Sequence, residues 1–216
     1  MALILASGSP RRRELLGLIT NDFTVCVSGA EETVPAGLTP AETVEMLAEI
    51  KGRAVFAEHN SDTVIAADTV VAVDGVILGK PASRQEAFDM LRLLSGKTHE
   101  VFTGVWIANA QGTVRFHECT EVTFYPLLDD EIRGYVDTGE PFDKAGAYGI
   151  QGKGALLVQG IKGDFFNVVG FPVAKTARAL KEFGMMDCQV KCNTIQENCE
   201  VLQMEFCNRN VFSDGC

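Results

Sequence analysis

The sequence predicts an α/β fold built on a mixed, twisted sheet with flanking helices. Three observations carry that reading. Short apolar and β-branched runs mix with amphipathic stretches, without the strict alternation of a regular doubly wound sheet. Two long strand-like runs, 98–109 and 113–125, follow one another and join near Gln111 and Gly112. Apolar residues make up 46% of the 216 and charged residues 22%, a globular composition that argues against disorder.

The elements follow in order. Residues 2–6 read as a short buried strand, and Pro10 opens a helix because proline suits the first helical turn. The apolar stripe of that helix is Leu15, Leu16 and Ile19, and residues 22–27 read as a second strand. LTPAETVEMLAEIKGRAVFAEH is a long amphipathic helix, with Thr39 as N-cap, Pro40 in the first turn and Glu42 placed to close a capping box. DTVIAADTVVAVDGVILGK reads as a strand, an Asp74-Gly75 hairpin turn and a second strand. SRQEAFDMLRLLSGK is another helix: Ser83 caps it, Ala87, Met90, Leu91 and Leu94 line one face, and Gly96 ends it. LDDEIRGYVDTG is a short helix, 139–154 a glycine-rich loop, 155–161 a strand and 172–183 a last helix. There is no internal repeat.

The formal charge of −10 at pH 7 argues against broad nucleic-acid or membrane binding, which favours a basic surface. An anionic ligand would need a local basic site. No apolar run approaches the roughly 18–20 residues that span a bilayer. LILA is too short for the core of a signal peptide, and its charges follow rather than precede it, so a cytoplasmic protein is expected. Five of the seven cysteines, Cys188, Cys192, Cys199, Cys207 and Cys216, fall in the last 29 residues, at spacings without the paired CxxC of a zinc site. That tail reads as an appendage dispensable for the chemistry.

The functional signal lies in charges at positions the pattern makes apolar. Lys51 shares a helix face with Val44, Leu47, Ala48 and Val55, where its amine either snorkels to water or meets an anion. Asp68 interrupts VIAADTVVAV. Unless it closes a turn at a strand end, a carboxylate there needs a cation, a metal or several donors, because burying it unpaired costs several kcal/mol. Arg11 and Arg12 lean toward the inward stripe of the first helix, while Arg13 faces solvent. Cations at a helix N-terminus oppose its dipole, which makes sense if an anion such as a phosphate sits there. The competing reading is a solvated basic turn balanced by Glu14. Lys80 in GKP and the stretch GEPFDKAGAYGIQGKGA, with Asp143, Lys144, Tyr148 and Gln151 among its glycines, are further candidates. No P-loop, GxGxxG, HExxH or Ser-His-Asp pattern is present, and His59, His99 and His117 sit in no motif.

LASGSPRRRELL, ADTVV, GKP, LSGKTHEVFTGV, GEPFDKAGAYGIQG and GDFFNVVGFP occur in this order. Over residues 2–184 the set resembles the Maf family of nucleoside triphosphate pyrophosphatases. The resemblance implies two lobes around a central groove, similar to inosine triphosphatase. It implies cleavage of a nucleoside triphosphate to the monophosphate and pyrophosphate with a divalent metal, Mg²⁺ or Mn²⁺. It assigns Ser7, Ser9, Arg11 and Arg12 to the triphosphate, along with Lys51 and Lys80. It makes Asp68 the catalytic aspartate and a metal ligand, and Glu31 or Glu32 the acidic partner. Thr69, Tyr148 and Gln151 match the branch acting on dTTP and UTP, in which Thr69 and Gln151 would read the pyrimidine edge. Ala66 stands where the family often has glycine, a change a strand tolerates. Residues 185–216 have no counterpart in the family. The implied role is removal of unwanted nucleotides, and a homodimer is implied without a legible interface. The alternative is a nucleotide-binding regulator of cell division or septum formation without turnover. A pure binder has no use for a buried carboxylate beside an anion, and Asp68 therefore favours the enzyme.

Overall fold

The computed structural model describes residues 2–185. The chain divides into two units, Met1–Ala179 and Leu180–Cys216. Within the second unit, Gly184 adopts a left-handed φ of +68°, and the amides of Gly184 and Met185 donate to Lys181 O and Leu180 O, a helix-ending pattern. The cysteine-rich tail, Met185 apart, lies outside the described residues.

The first unit is built on a seven-stranded mixed sheet in the order β2-β1-β3-β5-β6-β7, with β4 also paired to β3. β1 (Leu3–Leu5) is parallel to β2 (Thr24–Val25) and to β3 (Thr63–Val73). β4 (Val76–Leu78), β5 (Thr98–Asn109), β6 (Gly112–Phe124) and β7 (Val158–Lys162) pair antiparallel. The β3–β4 hairpin turns on Asp74 (φ +51°) and Gly75 (φ +79°), the two left-handed residues of a type I′ turn. Helices α1 (Pro10–Gly17), α2 (Pro40–Glu58), α3 (Arg84–Leu94), α4 (Asp129–Val136) and α6 (Val173–Glu182) fall where the sequence predicts them. The Thr39–Glu42 capping box is complete, and Ser9 and Ser83 accept from backbone amides as N-caps.

Three elements differ from expectation. Only two residues of the 22–27 run pair, because their partner β1 is itself three residues long. The glycine-rich loop holds 3₁₀ turns at Glu140–Asp143, Ala145–Ala147 and Gly152–Leu157, and the last delays β7 to Val158. Helix α5 (Phe165–Val169) was not expected: a single turn of aromatic and β-branched residues shows no helical period and carries strand propensity.

Among the described residues, two hydrophobic clusters share the long strands. One gathers Ile4, Ala6, Ala48, Val55, Val64, Ala66, Trp106 and Ala108. The other gathers Val71, Val73, Leu91, Val101, Phe124, Ile132 and Tyr148 among others. Along β3 the first core ends at Ala66 and the second begins at Val71. The same interval lacks a neighbour on one edge, because β1 stops pairing at Ile65 and β4 begins pairing at Val71. Asp68 and Thr69 occupy this gap.

Candidate active site

Successive residues of a strand point to opposite faces. The open edge of β3 lets both Asp68 and Thr69 border one groove of about 680 Å³. On the α2 face, Asp68 stands opposite Gly104 in register. A Cβ on Gly104 would lie 2.4 Å from the Val44 carbonyl, so its absence lets α2 settle onto the sheet. Two helical turns after Val44, Lys51 donates from Nζ to Asp68 Oδ1 at 2.5 Å and pairs with Glu32 Oε2 at 3.0 Å. The Lys51 and Asp68 side chains are only 15% and 13% exposed, and Glu32 is open to solvent. Asp68 sits in mid-strand, which removes the reading of a turn-closing aspartate, and Lys51 meets an anion rather than snorkelling to water.

The opening arginines separate as their helical positions predict. Arg13 is exposed, while Arg11 and Arg12 line the groove with Ser7, Gly8 and Ser9. Arg12 donates from Nε to Gly170 O at 3.0 Å, from Nη2 to Thr69 Oγ1 at 3.0 Å and from Nη1 to Ser7 Oγ at 3.4 Å. One N–H on each terminal nitrogen has no partner among the described residues. Burial lowers the pKa of Arg12, and the charge of Asp68 acts against it. Arg11 donates from Nη1 to Asp143 Oδ2 at 2.9 Å, which joins the start of α1 to the glycine-rich loop.

That loop is fixed from several sides. Gly146 N–H donates to Gly79 O at 3.0 Å, tying it to the segment that carries Lys80. Lys144 donates to Glu140 O at 2.6 Å and to the Asp143 carboxylate, and its stem lies across Gly149, where a Cβ would come within 2.6 Å of it. Burial would raise the Asp143 pKa, but hydrogen bonds from Lys144 and Arg11 outweigh it and hold the group below its usual range. Tyr148 is buried, its hydroxyl 2.7 Å from His99 Nε2 and its ring edge-on to Phe124. Burial pushes the Tyr148 phenol upward and the His99 imidazole down to about 4.

The groove therefore gathers Ser7, Ser9, Arg11, Arg12, Glu32, Lys51, Asp68, Thr69, Lys80, Tyr148 and Gln151. Glu31 is exposed and is not in its lining, so of the two adjacent glutamates Glu32 faces Lys51. The groove also holds Asp143 and Lys144, which their place among the glycines signalled. Thr103 and Asn167, behind Thr69, lie within LSGKTHEVFTGV and GDFFNVVGFP, but the sequence assigns neither a role: each is an ordinary polar residue until the register is known.

Among the described residues, no three His, Cys, Asp or Glu side chains converge as a metal cage. Asp68 and Glu32 nevertheless converge from two elements on one point, marked by the Lys51 amine. One or two carboxylates completed by substrate phosphates is how Mg²⁺ is usually held, so this donor set fits a divalent cation that arrives with a phosphorylated substrate.

A family model described as "Maf-like protein" matches residues 2–183. A curated dTTP/UTP pyrophosphatase of Bacillus velezensis is 56% identical over 183 residues, 85% of this chain and 97% of that protein. One of Bacillus mycoides is 54% identical over 181 residues, 84% of this chain and 95% of that protein. Among solved structures, a HAM1 protein from Coxiella burnetii aligns over 83% of this chain and 98% of its own at 15% identity and a TM-score of 0.45.

Proposed function

Because the chain belongs to the Maf-like protein family, we propose that it hydrolyses dTTP and UTP to the nucleoside monophosphate and pyrophosphate. The observation that carries this reading is the Lys51–Asp68 pair at the open edge of β3, inside a groove that also gathers Arg11, Arg12 and Lys80. A triphosphate bears about four negative charges near neutral pH, so its site must concentrate cations.

In this reading Arg12 meets the triphosphate with the two N–H groups that its protein partners leave over. Arg11 and Lys80 add charge to the same groove. Lys51 holds Asp68 by one oxygen, Oδ1, and no described residue bonds Oδ2. Oδ2 would then take the proton of a water directed at the α-phosphorus. Asp68 and Glu32 would hold Mg²⁺ or Mn²⁺, which when bound offsets charge on the phosphates and the departing pyrophosphate. Gln151, on the glycine-rich loop, and Thr69 face the remaining space, where a polar base edge would be read. A bound base would cover these groups, and a mismatched edge would then leave them unpaired, which disfavours the wrong base.

The test is product analysis with Mg²⁺ and each of dTTP, UTP, CTP, ATP and GTP, alongside Asp68→Asn. Pyrophosphate from dTTP and UTP, lost in the variant, is the expected result. Orthophosphate as the primary product, or turnover that survives Asp68→Asn, would overturn the reading.

A further inference from the structure

Thr69 borders the groove, yet its single hydroxyl proton is already committed. Its register partner on β5 is Thr103, and their hydroxyl oxygens lie 2.9 Å apart. Taken alone, either could donate. The neighbours decide. Thr103 Oγ1 also lies 3.0 Å from the backbone oxygen of Asn167, and a carbonyl only accepts, so Thr103 uses its one proton there. Thr69 must then donate to Thr103. Arg12, which only donates, completes the order by giving Nη2–H to Thr69. The chain runs one way, from the Arg12 guanidinium through Thr69 and Thr103 to the Asn167 carbonyl.

Its far end is rigid. Asn167 is fully buried in α5, and its Nδ2 donates to Val101 O and to Thr120 Oγ1, each at 2.9 Å. Thr120 in turn donates to Asp164 O and accepts from Asp164 N–H, both at 3.0 Å. Thr103 and Thr120 are themselves fully buried.

We propose that Thr103, anchored by Asn167, is a positioning residue for the anion-binding fork of Arg12. It touches no substrate. By taking the Thr69 proton it turns a Thr69 lone pair toward Arg12. With Gly170 O on Nε and Ser7 on Nη1, that lone pair fixes the guanidinium plane, so the fork is set before the anion arrives and loses little freedom on binding. Valine at position 103 keeps the shape and removes the acceptor. The Thr69 proton is then released to swing toward Arg12, where donor would face donor.

The inference rests on the proposal that Arg12 binds the triphosphate, so its test reads binding apart from turnover. Inorganic tripolyphosphate is titrated calorimetrically into the full chain as wild type, Thr103→Val, Thr103→Ser, Arg12→Ala and the Thr103→Val/Arg12→Ala double variant, with steady-state dTTP hydrolysis in parallel. Thr103→Val is expected to weaken tripolyphosphate about five- to tenfold and to raise KM more than it lowers kcat. Serine should restore wild-type behaviour, and valine should have no added effect once Arg12 is alanine. Where valine prevents folding, Thr103→Cys, a weak acceptor, should show an intermediate loss that also vanishes without Arg12. Additive effects in the double variant, or wild-type affinity in Thr103→Val, overturn the proposal, as does a wild type that does not bind tripolyphosphate. A wild type that binds it but releases no pyrophosphate from dTTP or UTP overturns the hydrolase reading instead, and Thr103 is then judged by the binding cycle.

Discussion

Asp68 on β3 and Gly104 on β5 face one another across the sheet, and the missing side chain of Gly104 is what brings Lys51 within reach of Asp68. The backbone of α2 at Val44 occupies the space a Cβ would take, at 2.4 Å from where that atom would be. Gly104→Ala should therefore cost about 3 kcal/mol, the upper end for overpacking, because the obstacle is backbone rather than a side chain that can rotate away. Lifting α2 also lifts Lys51, so kcat should fall together with stability. Urea denaturation and dTTP kinetics on the same preparation check this. An unchanged midpoint would mean that the helix moves at no cost.

The two partners of the buried pair should differ in what their removal does. Asp68→Asn leaves Lys51 with Glu32 at 3.0 Å, so the lysine keeps an anion. Lys51→Met leaves two carboxylates without the cation between them. Breaking a buried pair typically costs about 3–5 kcal/mol, and residual exposure places this one near the lower end. Lys51→Met should thus be the less stable variant by thermal denaturation. Asp68→Asn should be nearly wild type in stability but reduced at least about 100-fold in kcat, the scale of a lost general base. The reverse ranking would remove the argument for Glu32 as a second anion on Lys51.

His99 gives the fold a pH dependence with a defined sign. It is 2% exposed, and burial lowers its pKa from 6.5 to about 4. Between those values the unfolded chain binds a proton that the folded chain refuses. The stability this site contributes is complete above pH 6.5 and is lost as pH falls toward 4, to a total of about 3 kcal/mol. His99→Gln removes the titration. The difference between wild-type and variant unfolding free energies should therefore shrink by about 3 kcal/mol as pH falls from 6.5 to 4, and a difference that stays constant would show that folding leaves the His99 pKa unchanged.

How much of this was legible beforehand follows from physical causes. Lys51 and Asp68 stand out because each breaks the apolar pattern of its own element. The β3–β4 turn and the α2 cap are readable because a few residue types satisfy those backbone geometries. The choice between Glu31 and Glu32 is not readable, since adjacent loop residues differ only in the path of the chain. The Arg12–Thr69 contact spans 57 positions and the Thr69–Thr103 contact 34, so the first depends on how α1 packs beside β3 and the second on sheet register. Helix α5 is a single turn, too short to show a period. Residues that violate local rules could be found in one dimension, whereas those that obey them and act through tertiary contact could not.

Asp143 is a groove carboxylate to which the proposed reaction gives no part, and its charge opposes the substrate. It holds Arg11 at 2.9 Å and also accepts from Lys144, and its side chain is 62% exposed. An exposed pair of this kind contributes little, so Asp143→Ala should change stability by no more than about 0.5 kcal/mol. Its effect on binding should be larger, since the anion no longer competes with a carboxylate for two cations. Tripolyphosphate affinity should rise about two- to fivefold at low salt, with a gain that shrinks as ionic strength rises and screens the exposed charges. Weaker binding by Asp143→Ala would reverse the assignment: the carboxylate would then serve to aim Arg11 into the groove, and its repulsion of the phosphates would be the smaller effect.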